Sequence, residues 1–166
     1  MLSISHVLVP TDFSEGSAEA LDYARLLCRT FGARLHLLHV LETTGLVNVI
    51  SANGYAAIIP DLFDDIVDSR RAQLEALLTS SERRHKGVTT SVVVAGSPAR
   101  EIVKYAAARN IDLIVIGTHG RKGLPHFVLG SVAEAVVREA GCPVVTVRPE
   151  ATIGHSLGST AVHASA

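Results

Sequence analysis

The stretch "GTHGRKGLPHFVLGS", residues 117–131, places Gly117, Gly120, Gly123 and Gly130 in one excursion directly after the apolar run "DLIVI". Glycine loses more conformational freedom on ordering than any other residue. Its repeated use therefore points to backbone that takes unusual angles or approaches something closely. A loop of this kind can turn several N–H groups inward. The helix that opens at Gly130-Ser131 adds unpaired N–H groups and roughly half a positive charge. That is the chemistry of a phosphate cradle, with Thr118, His119 and Arg121 inside the same loop and Lys122 beside them. It is not a Walker loop, because no G-x-x-x-x-G-K-[ST] occurs. Nor is it a dinucleotide fingerprint: Gly117, Gly120 and Gly123 are spaced G-x-x-G-x-x-G and follow the fourth predicted strand, not the first.

The opposite end of the chain supplies the complementary group. The first predicted strand ends "Val9-Pro10-Thr11-Asp12-Phe13-Ser14", which puts a carboxylate at a strand's carboxyl end. A carboxylate there repels phosphate but accepts hydrogen bonds from ribose hydroxyls, so an acid and an N–H nest together describe a nucleotide. Each feature also has a plain structural reading. "Ser131-Val-Ala-Glu134" fits an S-x-x-E capping box, and Asp12 fits a cap or dipole partner for the first helix.

These groups need a scaffold, and the chain provides one. Five β-branched runs, 4–10, 33–40, 88–95, 112–117 and 143–149, are near-continuously apolar, as strands buried on both faces are. Between them lie helical patterns: Ala20, Leu21, Ala24, Leu27, Cys28 and Phe31 after a Ser14 N-cap and before Gly32; a stripe from Ile59 to Leu78; a helix opening at Ser97-Pro98; and one running from Ser131 to Gly141. Strand alternating with helix predicts an α/β fold: a doubly wound five-stranded parallel sheet with helices on both faces. Such a sheet binds ligands beyond its carboxyl ends, where the winding reverses. Residues 41–57 keep no firm period and read as a flap. The expected domain is 1–149, with 150–166 a small, polar, disordered tail.

Composition narrows the partners. The chain has 166 residues, 48% of them hydrophobic, and a formal charge of −1, so nothing electrostatic favours nucleic acid or an anionic membrane. No apolar run approaches the roughly 18 residues of a membrane span. The N-terminus lacks a signal-peptide pattern, which predicts a cytoplasmic protein. Two cysteines, Cys28 and Cys142, read as buried small hydrophobes rather than a disulfide or zinc framework. Eight histidines form no metal motif; His36 and His39, three apart on a strand, are expected on opposite faces.

"HVLVPTDFSEGSAEAL" and "GTHGRKGLPHFVLGSVAEAVVREAGCPVVTVRP" together resemble the universal stress protein family over residues 4–149. The loop is similar to that family's G-x2-G-x9-G-[ST] motif at Gly117, Gly120, Gly130 and Ser131. The resemblance implies the strand order 3-2-1-4-5, a Rossmann-like adenine nucleotide alpha hydrolase-like fold, and ATP at the carboxyl edge, with Mg2+ or Mn2+ on its phosphates. It implies that Pro10, Thr11 and Asp12 line the nucleoside side and that the backbone at Val40 meets adenine. It further implies that Gly117, Thr118, His119, Gly120 and Arg121 run along ribose and phosphates, while Gly130, Ser131 and Val132 hold the phosphates. A homodimer through the fifth strand, 143–149, follows from the same resemblance. The resulting reading is a nucleotide-responsive binding module in the stress response. A slow ATPase or phosphotransferase, a cyclic AMP binder and a nucleotide-free scaffold stand as alternatives.

Overall fold

The structure is a computed structural model that describes residues 3–42, 59–84, 87–118 and 129–148. Strand β1 (His6–Pro10) leads into helix α1 (Glu15–Phe31), then β2 (Arg34–Glu42), α2 (Ile59–Leu77), the short α3 (Ser80–Arg84) and β3 (Val88–Ala95). Helix α4 (Pro98–Ala108), β4 (Leu113–Gly117), α5 (Ser131–Glu139) and β5 (Val144–Val147) follow among the described residues. All four strand pairings are parallel and the order is β3-β2-β1-β4-β5. The winding therefore reverses between β1 and β4, as a doubly wound sheet requires.

The strands are apolar on both sides because both sides are covered. Val7, Val9, Leu35, Leu37, Leu113 and Val115 face α1 and α2, where Ala20, Leu21, Ala24 and Leu74 meet them. Leu8, Leu38, Ile114 and Ile116 face α4 and α5, against Ile102, Ala106, Ala133 and Val136. Cys28 packs at the margin of the first core and Cys142 at the second; both thiols are free and half-buried, less enclosed than the composition suggested. Phe31 also departs from its stripe and stands half-exposed at the last residue of α1. Beyond it Gly32 adopts φ 67, the left-handed turn that ends the helix. Leu41 and Glu42 belong to β2, which runs further than expected; the rest of 43–57 and the tail 150–166 lie outside the described residues. No helix among the described residues is long and apolar enough to cross a membrane.

One polar network ties helices to one another and a second ties a helix to the sheet. Arg25 on α1 donates to Glu82 of α3 at 2.8 Å and to the Leu77 carbonyl at 2.7 Å, locking the join between α2 and α3. Burial alone would raise the Glu82 carboxyl, but hydrogen bonds from Arg25 and Thr79 take it down to about 2. On the other face, His36 is buried between His6, 3.0 Å away, and the Tyr105 hydroxyl at 3.2 Å. Burial, with smaller repulsion from His6, Arg109 and Arg34, lowers its pKa to about 4.

The His36 shift carries a pH signature. Its folded pKa lies below the unfolded value of about 6.5, so acidification through that window protonates the unfolded chain and not the folded one. Stability from this group is therefore full above about pH 6.5 and declines toward about pH 4. We expect the thermal midpoint to fall by several degrees across that range and the fall to be shallower in His36→Gln. Parallel melting profiles for the two proteins would refute the assignment.

Candidate functional site

The carboxyl edge opens at the reversal point. The β1–β2 ladder runs to Pro10↔Leu38 and continues through Thr11 N–H to the Leu38 carbonyl at 2.9 Å. The β4–β5 ladder runs to Gly117↔Val147 and continues through Thr118 N–H to the Val147 carbonyl at 2.8 Å. Between β1 and β4, however, the pairs are Val7↔Leu113 and Leu8↔Ile114. Each strand follows its outer neighbour, and a crevice is left between Thr11-Asp12 on one side and Gly117-Thr118 on the other.

One wall is the turn from β1 into α1. Asp12 Oδ1 accepts from both the N–H and the hydroxyl of Ser14, while Ser14 Oγ in turn accepts from Ser17 N–H as the α1 N-cap. Thr11 Oγ1 accepts from Phe13 N–H at 3.0 Å and shares a hydrogen bond with Ser17 Oγ, also at 3.0 Å. The capping role read for Asp12 is thus real, though indirect. It orients the serine that caps, which also fixes the carboxylate at the crevice, half-buried.

The other wall is β4 and the start of α5. A Cβ on Gly117 would lie 2.6 Å from the Gly16 carbonyl oxygen and 2.8 Å from its carbon. Gly117 is therefore glycine because β4 packs on the backbone of α1's first turn, and that contact holds the two walls together. Gly130 N–H donates to the Thr118 carbonyl at 2.8 Å, so the excursion closes on the residue where it begins. Gly130, not Ser131, is the N-cap of α5, and it makes no side-chain capping bond. The S-x-x-E pattern is consequently no capping box: Ser131 is already helical and exposed, and its hydroxyl has no partner among the described residues. The first intrahelical bond is Glu134 N–H to the Gly130 carbonyl. The N–H groups of Ser131, Val132 and Ala133 are thus the orphan donors at a positive helix end. The Val132 side chain packs inward against the core, leaving only its backbone for a ligand.

Val40 is placed by strand geometry. Successive residues of a strand aim their backbone groups to alternate sides. The Leu38 carbonyl points at β1, so the Val40 backbone points the same way, past the end of β1 and over the crevice. His36 and His39 do take opposite faces; His39 Nδ1 donates to the Thr11 carbonyl at 2.8 Å and its ring meets Phe13. His119, Gly120 and Arg121, with Lys122, Gly123 and His126, lie outside the described residues.

The sequence pattern that defines the universal stress protein family matches residues 3–148. The chain belongs to that family. It is similar to universal stress protein YxiE of Bacillus subtilis, 35% identical and covering 86% of this chain and 97% of the relative. It is likewise similar to universal stress protein MJ0531 of Methanocaldococcus jannaschii, at 33% identity over 86% and 81%. Among solved structures, MJ0577 of Methanocaldococcus jannaschii superposes with a TM-score of 0.72 at 28% identity, over 89% of this chain and 97% of that one. Universal stress proteins solved with cAMP and with dAMP share the fold at TM-scores of 0.55 and 0.52, with identities of 23% and 20%.

Within this universal stress protein, sequence reasoning missed three residues that build the site. Gly16 and Ser17 carry the contact to Gly117 and the bond to Thr11, and the "Glu15-Gly16-Ser17" step was the available sign, since glycine is unusual in a first helical turn. Phe13 takes φ 64, which no periodicity announces.

Proposed function

We propose that this universal stress protein binds an adenine nucleotide, ATP in the first place, across the crevice between β1 and β4, and acts as a nucleotide-responsive module of the stress response. One observation carries the reading: the sheet parts at its reversal point, with an oriented carboxylate on one wall and the bare N-terminus of α5 on the other. Asp12 accepts from ribose hydroxyls, the Val40 backbone meets the adenine edge, and Pro10 and Thr11 form the floor beside them. Ser131, through its hydroxyl and N–H, and Val132, through its N–H, hold phosphate oxygens together with the loop carrying His119, Gly120 and Arg121. Gly130 serves by lacking a side chain, because its own N–H is already engaged by Thr118.

Mg2+ or Mn2+ fits this arrangement as a companion of the phosphates. Among the described residues no three His, Cys, Asp or Glu side chains gather into a cage. Ligands to the ion would therefore be phosphate oxygens and water, with charge neutralisation as its contribution. The same reading includes a cytoplasmic homodimer through β5, the strand at the sheet's edge.

The test is direct. Heat extraction of the purified protein followed by anion-exchange chromatography is expected to release ATP, or ADP or AMP derived from it. Titration calorimetry across ATP, ADP, AMP and cAMP then ranks the ligands. A chain that is empty as purified and silent toward Mg-ATP overturns the reading. Phosphate release faster than about one per minute, lost in His119→Ala, would favour an enzyme instead.

A further inference from the structure

Phe13 follows Asp12 directly and has φ 64, a left-handed backbone that a bulky residue adopts only when its surroundings over-determine it. Both Ser14 donors reach the Asp12 carboxylate across Phe13, so the direction of that carboxylate depends on the Phe13 dihedral. What holds the dihedral is visible. The Phe13 N–H is fixed by Thr11 Oγ1, and its ring lies 4.6 Å from the His39 ring, centroid to centroid. On α2, the Arg70 guanidinium carbon stands 6.0 Å from the Phe13 ring centroid, at the range of a cation–π contact. Arg70 donates to Gln73 at 2.8 Å, but its Nε is buried without a hydrogen-bond partner, and no salt bridge among the described residues includes it. A half-buried guanidinium whose Nε is enclosed without a partner needs another reason for its place. The aromatic face supplies it. His39, its ring tilted 42° to that of Phe13, and Arg70 thus both border the Phe13 ring, a cluster drawn from β2, the β1–α1 turn and α2.

We propose that Phe13 is a positioning residue of the nucleotide site: the cluster locks its left-handed backbone, which aims the Asp12 carboxylate into the crevice, and Arg70 links occupancy of the crevice to α2. The inference rests on the nucleotide reading above. Coupling is reciprocal, so a bound nucleotide that secures the Asp12 turn must also secure the cluster and, through Arg70, the part of α2 that carries it.

The test uses the full chain and Mg-ATP. Titration calorimetry gives the dissociation constant, thermal melts of the unliganded proteins give stability, and amide hydrogen exchange reads α2 around Arg70. Phe13→Leu keeps the apolar volume but loses the flat face; ATP binding is expected to weaken about tenfold. Phe13→Tyr keeps the face and is expected to stay within about threefold of wild type. Arg70→Gln is expected to weaken binding about fivefold and to abolish the ATP-induced protection of α2. If wild type binds ATP while Phe13→Leu and Arg70→Gln bind within about twofold of it, with only the melting point lowered, Phe13 is a core residue and the inference falls alone. A wild-type chain that binds no adenine nucleotide overturns the site reading and this inference together.

Discussion

Gly117→Val is expected to lower the thermal midpoint by about 10 °C, and Gly117→Ala by roughly half as much. The reason lies in which atoms an added Cβ would meet. At 2.6 Å from the Gly16 carbonyl oxygen and 3.2 Å from Ser17 N, it strikes backbone, which cannot rotate away as a side chain end would. Either the end of β4 or the first turn of α1 must move. Overpacking of a tight interior costs about 1–3 kcal/mol, and valine adds two more atoms to the same collision. For a chain of this size each kcal/mol shifts the midpoint by roughly 2–4 °C. Gly141 supplies the control, since a Cβ there meets nothing within 4 Å; Gly141→Ala should melt with the wild type. Circular dichroism melts of the three variants decide the matter, and an unshifted Gly117→Ala would show that the β4–α1 contact is looser than the geometry states.

Gly130→Val should behave in the opposite way, leaving the fold nearly intact and reducing ATP affinity by about 100-fold or more. Its backbone, φ −59 and ψ 145, is open to any residue. An added Cβ comes 3.2 Å from the Thr118 carbonyl oxygen, a contact relieved by a shift of a few tenths of an ångström. The midpoint should therefore drop by no more than about 4 °C, a cost of roughly 1 kcal/mol. The remaining atoms of the valine would stand at the mouth of α5, among the orphan N–H groups of Ser131, Val132 and Ala133. No phosphate can approach donors that an isopropyl group covers. Calorimetric titration with Mg-ATP alongside the melt separates the two effects, and an unchanged dissociation constant would refute the placement of the phosphates. The contrast with Gly117 matters because the two glycines bracket one motif and look interchangeable in it. One is required by the protein's own backbone, the other by the proposed ligand.

Much of this was legible in the chain. The alternation of apolar strands with amphipathic helices announced a parallel sheet covered on both faces, and every strand and helix it marked is present. Ser14 and Gly32 bounded α1 as their chemistry requires, since capping is decided within a few residues of sequence. The family resemblance carried the strand order, which periodicity cannot supply. Asp12 and the Gly130-Ser131 step were singled out by residue type; the structure puts Asp12 in the turn from β1 into α1 and Gly130-Ser131 at the start of α5.

The rest depended on atoms distant in sequence. Whether Ser131 caps its helix or stands inside it turned on the Gly130–Thr118 bond, and the meaning of Gly117 turned on Gly16, a residue of a different element. Phe13 takes its left-handed backbone beside a histidine from β2 and an arginine from α2, and His36 is kept neutral by burial beside His6 and Tyr105. By itself, then, the sequence determined the elements, their caps and the residue types available for a nucleotide, because those properties are local. Only the tertiary structure decided which glycine answers to packing, which donors stay unpaired and where the carboxylate is aimed. Those outcomes are set by contacts between elements that close only when the sheet does.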